Sequence, residues 1–139
     1  MIIHFIAADL REVSPLVLAY IGDSVYELHA RCHVATKGAG NSNKMHKKAI
    51  GYVCASAQAK VVKRLINEGY LNEEEMDYFK RGRNSDPHSF PKNADPLEYK
   101  IATGFEALIG FLFLNNSTKR LELLLNRCFE ILDEEPEEK

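Results

Sequence analysis

Two acidic residues interrupt apolar stretches of this 139-residue chain. Asp23 lies in AYIGDSVYELHA, directly after Gly22, and Glu106 lies in TGFEALIGFL between Phe105 and Ala107. An unpaired carboxylate is costly to bury among apolar neighbours, so each acid must pair, cap a helix or hold a ligand. If the two segments cross, Asp23 and Glu106 face one another, and close carboxylates repel unless a proton or a cation lies between them. A hard divalent ion such as Mg²⁺ suits that arrangement, because it accepts one or two carboxylates and keeps several waters. Pairing of each acid with a nearby arginine, or helix capping, is the alternative the residues leave open. Glu27 follows Asp23 by one helical turn and could hydrogen-bond a water of such an ion, while a salt bridge to Arg31 accounts for it equally well.

Charge supplies a second chemical signal. The formal net charge is −2, yet residues 37 to 92 hold eleven Lys/Arg against six Asp/Glu, leaving seven against fourteen elsewhere, many of the acids in the tail DEEPEEK. The basic residues concentrate in NKMHKKA and KRGRN, at expected helix ends where long side chains can reach a polyanion. Compensation of helix dipoles is the competing account for any one of them.

These residues must be positioned by helices. Ser14-Pro15 is an N-cap and first-turn pair that opens a helix running to about Thr36. After the turn-forming KGAGNSN, a second long helix is expected from about Met45 to Asn67, with Ala49, Val53, Ala57, Val61 and Leu65 along one stripe. Asn72 caps EEEMDYFKR, which has acids in its first turn and bases in its last, and GRNSDPHSFPKNADP reads as a loop. LEYKIATGFEALIGFLFL is apolar nearly all round and predicts a central buried helix, and Ser117 or Thr118 caps a last amphipathic helix through about Leu132. No segment shows sustained strand alternation, so the fold class is all-α. The pattern gives a single domain over 1–139, with a core of about 14–132 and an acidic tail at 133–139.

Composition excludes several classes. Apolar residues at 45 % and charged residues at 27 % describe a globular domain. No stretch approaches the roughly 18 apolar residues of a membrane span, and MIIHFIAADL has too short an apolar run and no basic leader for a signal peptide. Cys32, Cys54 and Cys128 lack metal-ligand spacing and suggest reduced thiols in the cytoplasm. Phe105, Leu108, Ile109, Phe111, Leu112 and Phe113 give the helix over 101–114 more apolar surface than one small domain is expected to cover, which predicts a homodimer.

LAYIGDSVYE, KMHKKAIGYVCASAQA, KRGRN and ATGFEALIGFLFL, in that order, resemble the ribonuclease III family, enzymes that cut double-stranded RNA. The resemblance runs from about Leu16 to Leu125 and is nearer to the short bacterial branch, Mini-ribonuclease III, which has no separate double-stranded-RNA-binding domain. It implies a helical catalytic domain, a two-fold dimer with one active site per strand, and Asp23 and Glu106 as catalytic, metal-binding residues. Larger members carry further acids where this chain has Leu16, Ala19 and Thr103, and another that aligns with Ala55, so one Mg²⁺ (or Mn²⁺ in its place) per site is the expectation. Glu27 stays a candidate to hydrogen-bond a water of that ion. Lys44, His46, Lys47, Lys48, Arg81, Arg83, Asn84 and Lys92 become the RNA-binding set, because A-form duplexes are gripped mainly through phosphates and 2′-hydroxyls. Gly82 could take the left-handed conformation that ends a helix and bares backbone N–H groups.

The implied activity is endonucleolytic cleavage of structured RNA to 5′-phosphate and 3′-hydroxyl ends. By resemblance the substrate is the precursor of large-subunit (23S) ribosomal RNA, with a ribosomal protein as a possible presenting partner. The alternative is a catalytically silent module that binds or scaffolds ribosomal RNA. Retention of both Asp23 and Glu106 favours the enzyme.

Overall fold

The computed structural model describes residues 9–38, 40–86 and 90–134. Most of MIIHFIAADL and the acidic tail beyond Glu134 lie outside the described residues. A single 3-10 turn, Leu10–Glu12, precedes six helices: α1 (Pro15–Thr36), α2 (Ser42–Val53), α3 (Ala55–Asn67), α4 (Glu73–Arg83), α5 (Pro96–Leu114) and α6 (Thr118–Asp133). No strand occurs among the described residues.

The helix starts follow local chemistry. The Ser14 hydroxyl accepts from Leu16 N at 3.2 Å, and Asn72 and Glu75 exchange the two bonds of a capping box at the head of α4. Asp95 caps α5 with Pro96 in its first turn. Ser117 heads α6 without a side-chain cap bond.

The expected helix over 45–67 is two helices. Cys54 is extended (φ −67°, ψ 157°), closing α2 and opening α3. The step-of-four stripe from Ala49 to Leu65 runs unbroken through this hinge, and neither glycine nor proline marks it. The break lets α2 pack on α1 while α3 turns across α5.

Helix α5 is the axis of the domain and packs against α1, α4, α3 and α6. Phe105, Leu108 and Ile109 are fully buried, and Phe111 and Leu112 nearly so. Tyr26 meets Phe105 edge to face at 5.2 Å and donates its hydroxyl to the Tyr52 carbonyl at 2.8 Å. The domain's own helices therefore cover the apolar excess of α5. Single exposed apolar side chains occur on α2 (Ile50), at the start of α5 (Leu97) and on α6 (Leu123), whereas on α1 three of them, Val17, Tyr20 (78 % exposed) and Leu28, share one face.

Two polar fastenings hold the rim. Arg120 of α6 grips the buried Glu75 of α4 with bonds of 2.7 and 2.8 Å and donates to the Tyr70 carbonyl. At the other end Asp133, the last residue of α6, receives His33 of α1 at 2.8 Å and Lys37, the residue that follows α1, at 2.9 Å, together with the Tyr52 hydroxyl of α2.

Candidate active site

The site is made by a helix crossing at which two backbones touch. A Cβ on Gly22 would stand 1.8 Å from the Glu106 carbonyl oxygen, and one on Gly110 would stand 2.0 Å from the Leu18 carbonyl oxygen. Only glycine at both positions lets α1 and α5 approach this closely. The residue after Gly22 is Asp23, so the crossing itself brings Asp23 to Glu106. A second close approach holds α4: a Cβ on Gly104 would lie 2.6 Å from the Phe79 carbonyl oxygen, and one on Gly82 would lie 2.7 Å from the Ala107 methyl.

The two carboxyls adjoin, at the surface rather than in the interior. Asp23 is exposed and Glu106 half-buried. Burial, then the Asp23 charge and a hydrogen bond donated to its side chain, push Glu106 up to about 8, and the Gln58 amide partly offsets this. Glu75 shows the opposite outcome for a buried glutamate. Burial opposes its ionisation too, yet the Arg120 guanidinium and the Asn72 N–H hold its carboxyl below the usual range. Among the described residues no cationic side chain does the same for Glu106. Glu106 therefore has no arginine partner among the described residues, and the charge that acts on it is that of Asp23.

The remaining sequence candidates divide. Glu27 is committed to Arg31, one turn on, by an ion pair of 2.6 Å. Lys44, His46, Lys47 and Lys48 are exposed on the first turns of α2, Lys92 is exposed in the loop before α5, and Asn84 is exposed at the end of α4. Arg81 and Arg83 are half-buried. The first donates to the Arg11 carbonyl at 2.8 Å and lies over Tyr78, and the second bonds the Asn84 side chain and lies over Phe79. Gly82 does not end α4 in a left-handed turn. It is helical and serves the close packing against α5, because the apolar face of α4 continues through Tyr78, Phe79 and Gly82.

Of the positions where larger ribonucleases carry acids, Ala19 is buried and the Thr103 hydroxyl is spent on the Tyr99 carbonyl at 2.8 Å. The polar group that α3 directs at Glu106 is Gln58, one turn beyond Ala55. Its signal in the sequence is a lone amide on the apolar stripe of ASAQAKVV.

A divalent cation fits this donor set. The pair offers two adjoining oxygen-ligand groups whose only relief from mutual repulsion is a proton on Glu106, and a cation relieves it instead. No group of three or more His, Cys, Asp or Glu positioned to hold a metal occurs among the described residues, so water and a substrate phosphate would complete the shell.

Comparison with known proteins identifies the family. Residues 16–117 match the Ribonuclease III domain. The chain is 43 % identical to the Mini-ribonuclease 3 of Clostridium tetani over 132 residues, covering 94 % of this chain and 86 % of that one. It is 41 % identical to the Mini-ribonuclease 3 of Enterococcus faecalis over 126 residues, covering 91 % and 96 %. A crystal structure of a Fusobacterium nucleatum protein superposes with a TM-score of 0.78 at 31 % identity, covering 89 % of this chain and 98 % of that one.

Proposed function

The chain belongs to the ribonuclease III family, in its Mini-ribonuclease 3 branch, and from that premise we infer that it is an endoribonuclease of double-stranded RNA whose catalytic pair is Asp23 and Glu106. The observation that carries the assignment is the glycine-on-backbone crossing of α1 and α5, which presses two acids together without a cationic side chain to neutralise Glu106.

Asp23 and Glu106 would hold one Mg²⁺, with Mn²⁺ an acceptable substitute. Bound there, the ion would lower the pKa of a coordinated water and offset charge on the phosphate oxygens. The chain's own residues do the rest. Glu106 gives up its proton to become a ligand, so binding is favoured as pH rises toward 8. Asp23 stands at the surface, where a duplex backbone can reach it. The exposed lysines at the head of α2 meet phosphates on neighbouring turns of the duplex. Hydrolysis leaves a 5′-phosphate and a 3′-hydroxyl, and the substrate we propose is the structured end of a large-subunit ribosomal RNA precursor.

We further propose a homodimer that buries the exposed α1 face of Val17, Tyr20 and Leu28, because apolar side chains aligned on one helix face mark an interaction surface. Two-fold symmetry would give each antiparallel strand its own site. No helix among the described residues is long and apolar enough to cross a membrane.

Incubation of a long RNA duplex with the protein, with and without Mg²⁺, tests the assignment. Cleavage to 5′-phosphate ends that requires the metal and vanishes in Asp23→Asn is the expected result. Binding without cleavage by the parental protein in Mg²⁺ would establish the silent scaffold instead.

A further inference from the structure

Among the described residues, buried polar side chains are satisfied with one exception. Glu75 is bonded by Arg120 and by the Asn72 N–H, and Thr103 by the Tyr99 carbonyl. Gln58 is 1 % exposed, and its Nε2 has no hydrogen-bond partner. Burying an unpaired amide destabilises a domain, and methionine would fill the same space without that penalty. A lone unsatisfied donor in a core therefore calls for a reason outside packing.

Its surroundings supply one. Gln58 sits on α3, with Ala57 and Ala59 beside it and Val61 and Val62 a turn on, and the polar group it addresses is the Glu106 carboxyl on α5. Asp23, Glu106 and Gln58 thus converge from three different helices. The amide is close enough to favour the charged carboxylate, yet no hydrogen bond is completed. A neutral donor at this point has a property that charged residues lack. A lysine or arginine would neutralise Glu106 and compete with a cation, and a third acid would add repulsion. An amide can fix one carboxylate oxygen and leave the negative charge in place.

We propose that Gln58 is a positioning residue of the active site, its side-chain amide holding one oxygen of charged Glu106 so that the other is presented to the divalent cation shared with Asp23. The inference rests on the assignment of Asp23 and Glu106 as the metal pair. That bond from the amide to Glu106 accounts for the buried amide donor left without a partner.

Mn²⁺ binding to the RNA-free protein, measured by calorimetry on the parental chain, Gln58→Met and Glu106→Gln, tests this. Gln58→Met should keep or raise the melting temperature in the absence of metal while weakening Mn²⁺ binding by about tenfold, the lower end of what loss of a partner to a metal ligand does. The Mg²⁺ concentration for half-maximal cleavage should rise in parallel, with KM for duplex RNA at saturating Mg²⁺ unchanged. A folded Gln58→Met with parental Mn²⁺ affinity overturns the role of Gln58 alone, provided that Glu106→Gln weakens binding. Parental affinity in Glu106→Gln as well overturns the metal pair and the inference with it. A measurement on the parental chain needs no variant at position 58. Gln58 is the only glutamine in the sequence, so glutamine-selective side-chain ¹⁵N labelling yields one pair of amide signals. Mg²⁺ should move that pair in the parental protein and leave it in place in Asp23→Asn, and signals unmoved in the parental protein would refute the proposal.

Discussion

Replacing Glu106 with glutamine should make the metal-free protein more stable, by an amount that grows with pH. In the folded state burial and Asp23 push this carboxyl from 4.5 to about 8, while in the unfolded chain it titrates near its ordinary value. Between those limits the folded state keeps a proton that the unfolded state has released, so stability falls as pH rises through the window and levels off above it. The interval from 4.5 to about 8, at about 1.4 kcal/mol per pH unit, sets a ceiling of about 5 kcal/mol. Glu106 is half-buried, and solvent screening reduces the expected gain to about 2–3 kcal/mol. Glutamine preserves the shape and removes the titration. Urea unfolding in chelator, near pH 5 and above pH 8, would measure this: the two proteins should nearly coincide in acid and diverge in base, with Glu106→Gln the more stable. Adding Mg²⁺ at the higher pH should raise the parental midpoint and leave that of Glu106→Gln unmoved. A stability difference that is the same at both pH values would refute the account of Glu106 as an acid held protonated by its surroundings.

Gly22→Ala should lose at least about 4 kcal/mol or fail to fold, since its methyl would occupy the space of the Glu106 carbonyl; a near-parental unfolding midpoint would show that the helices can separate at no cost. Asp133→Asn should destabilise by about 1–2 kcal/mol at neutral pH. Burial opposes ionisation of Asp133, but the bonds from Tyr52, Lys37 and His33 hold its carboxyl below 3.8, so that stability is present above this value and disappears as pH falls toward the folded pKa. Urea midpoints of the two proteins should therefore converge in strong acid. Tyr20→Asp should convert a dimer to monomers in sedimentation, and a parental chain that sediments as 15.8 kDa would count against the α1 face. Lys47→Ala with Lys48→Ala should weaken binding of unrelated duplexes equally and flatten the salt dependence by about one unit of slope per lost phosphate contact, and an unchanged slope would remove α2 from the interface.

Much of this was legible in the chain because the signals are local. Ser14 with Pro15, and Asn72, mark helix starts by bonds made within three residues. The Asp23–Glu106 pair was readable because each acid breaks an apolar run. What stayed hidden depends on partners. The hinge at Cys54 has no composition of its own, and a stripe stepping by four cannot distinguish one helix from two in phase. Gly82 resembled a helix end, but its use is set by Gly104 and Ala107 of another helix. The apolar excess of α5 suggested an interface, whereas four helices cover it from within. Gln58 looked like one polar residue on a helix, and only its burial singles it out.

The Gly22–Glu106 crossing also governs when the site comes into being during folding. Asp23 and Glu106 are 83 residues apart in sequence, so no local segment contains both. Bringing them together closes a loop spanning most of the chain, an entropy loss that only packing of α5 against α1, α3 and α4 can repay. Helices form in well under a millisecond on their own, but contacts of this sequence separation wait for the domain to collapse around them. A nascent chain that has not yet emerged through α5, or a fragment cut in the loop before it, carries Asp23 without Glu106. Nuclease activity should consequently appear in one step, with the last long-range packing, and vanish in one step when that packing is lost.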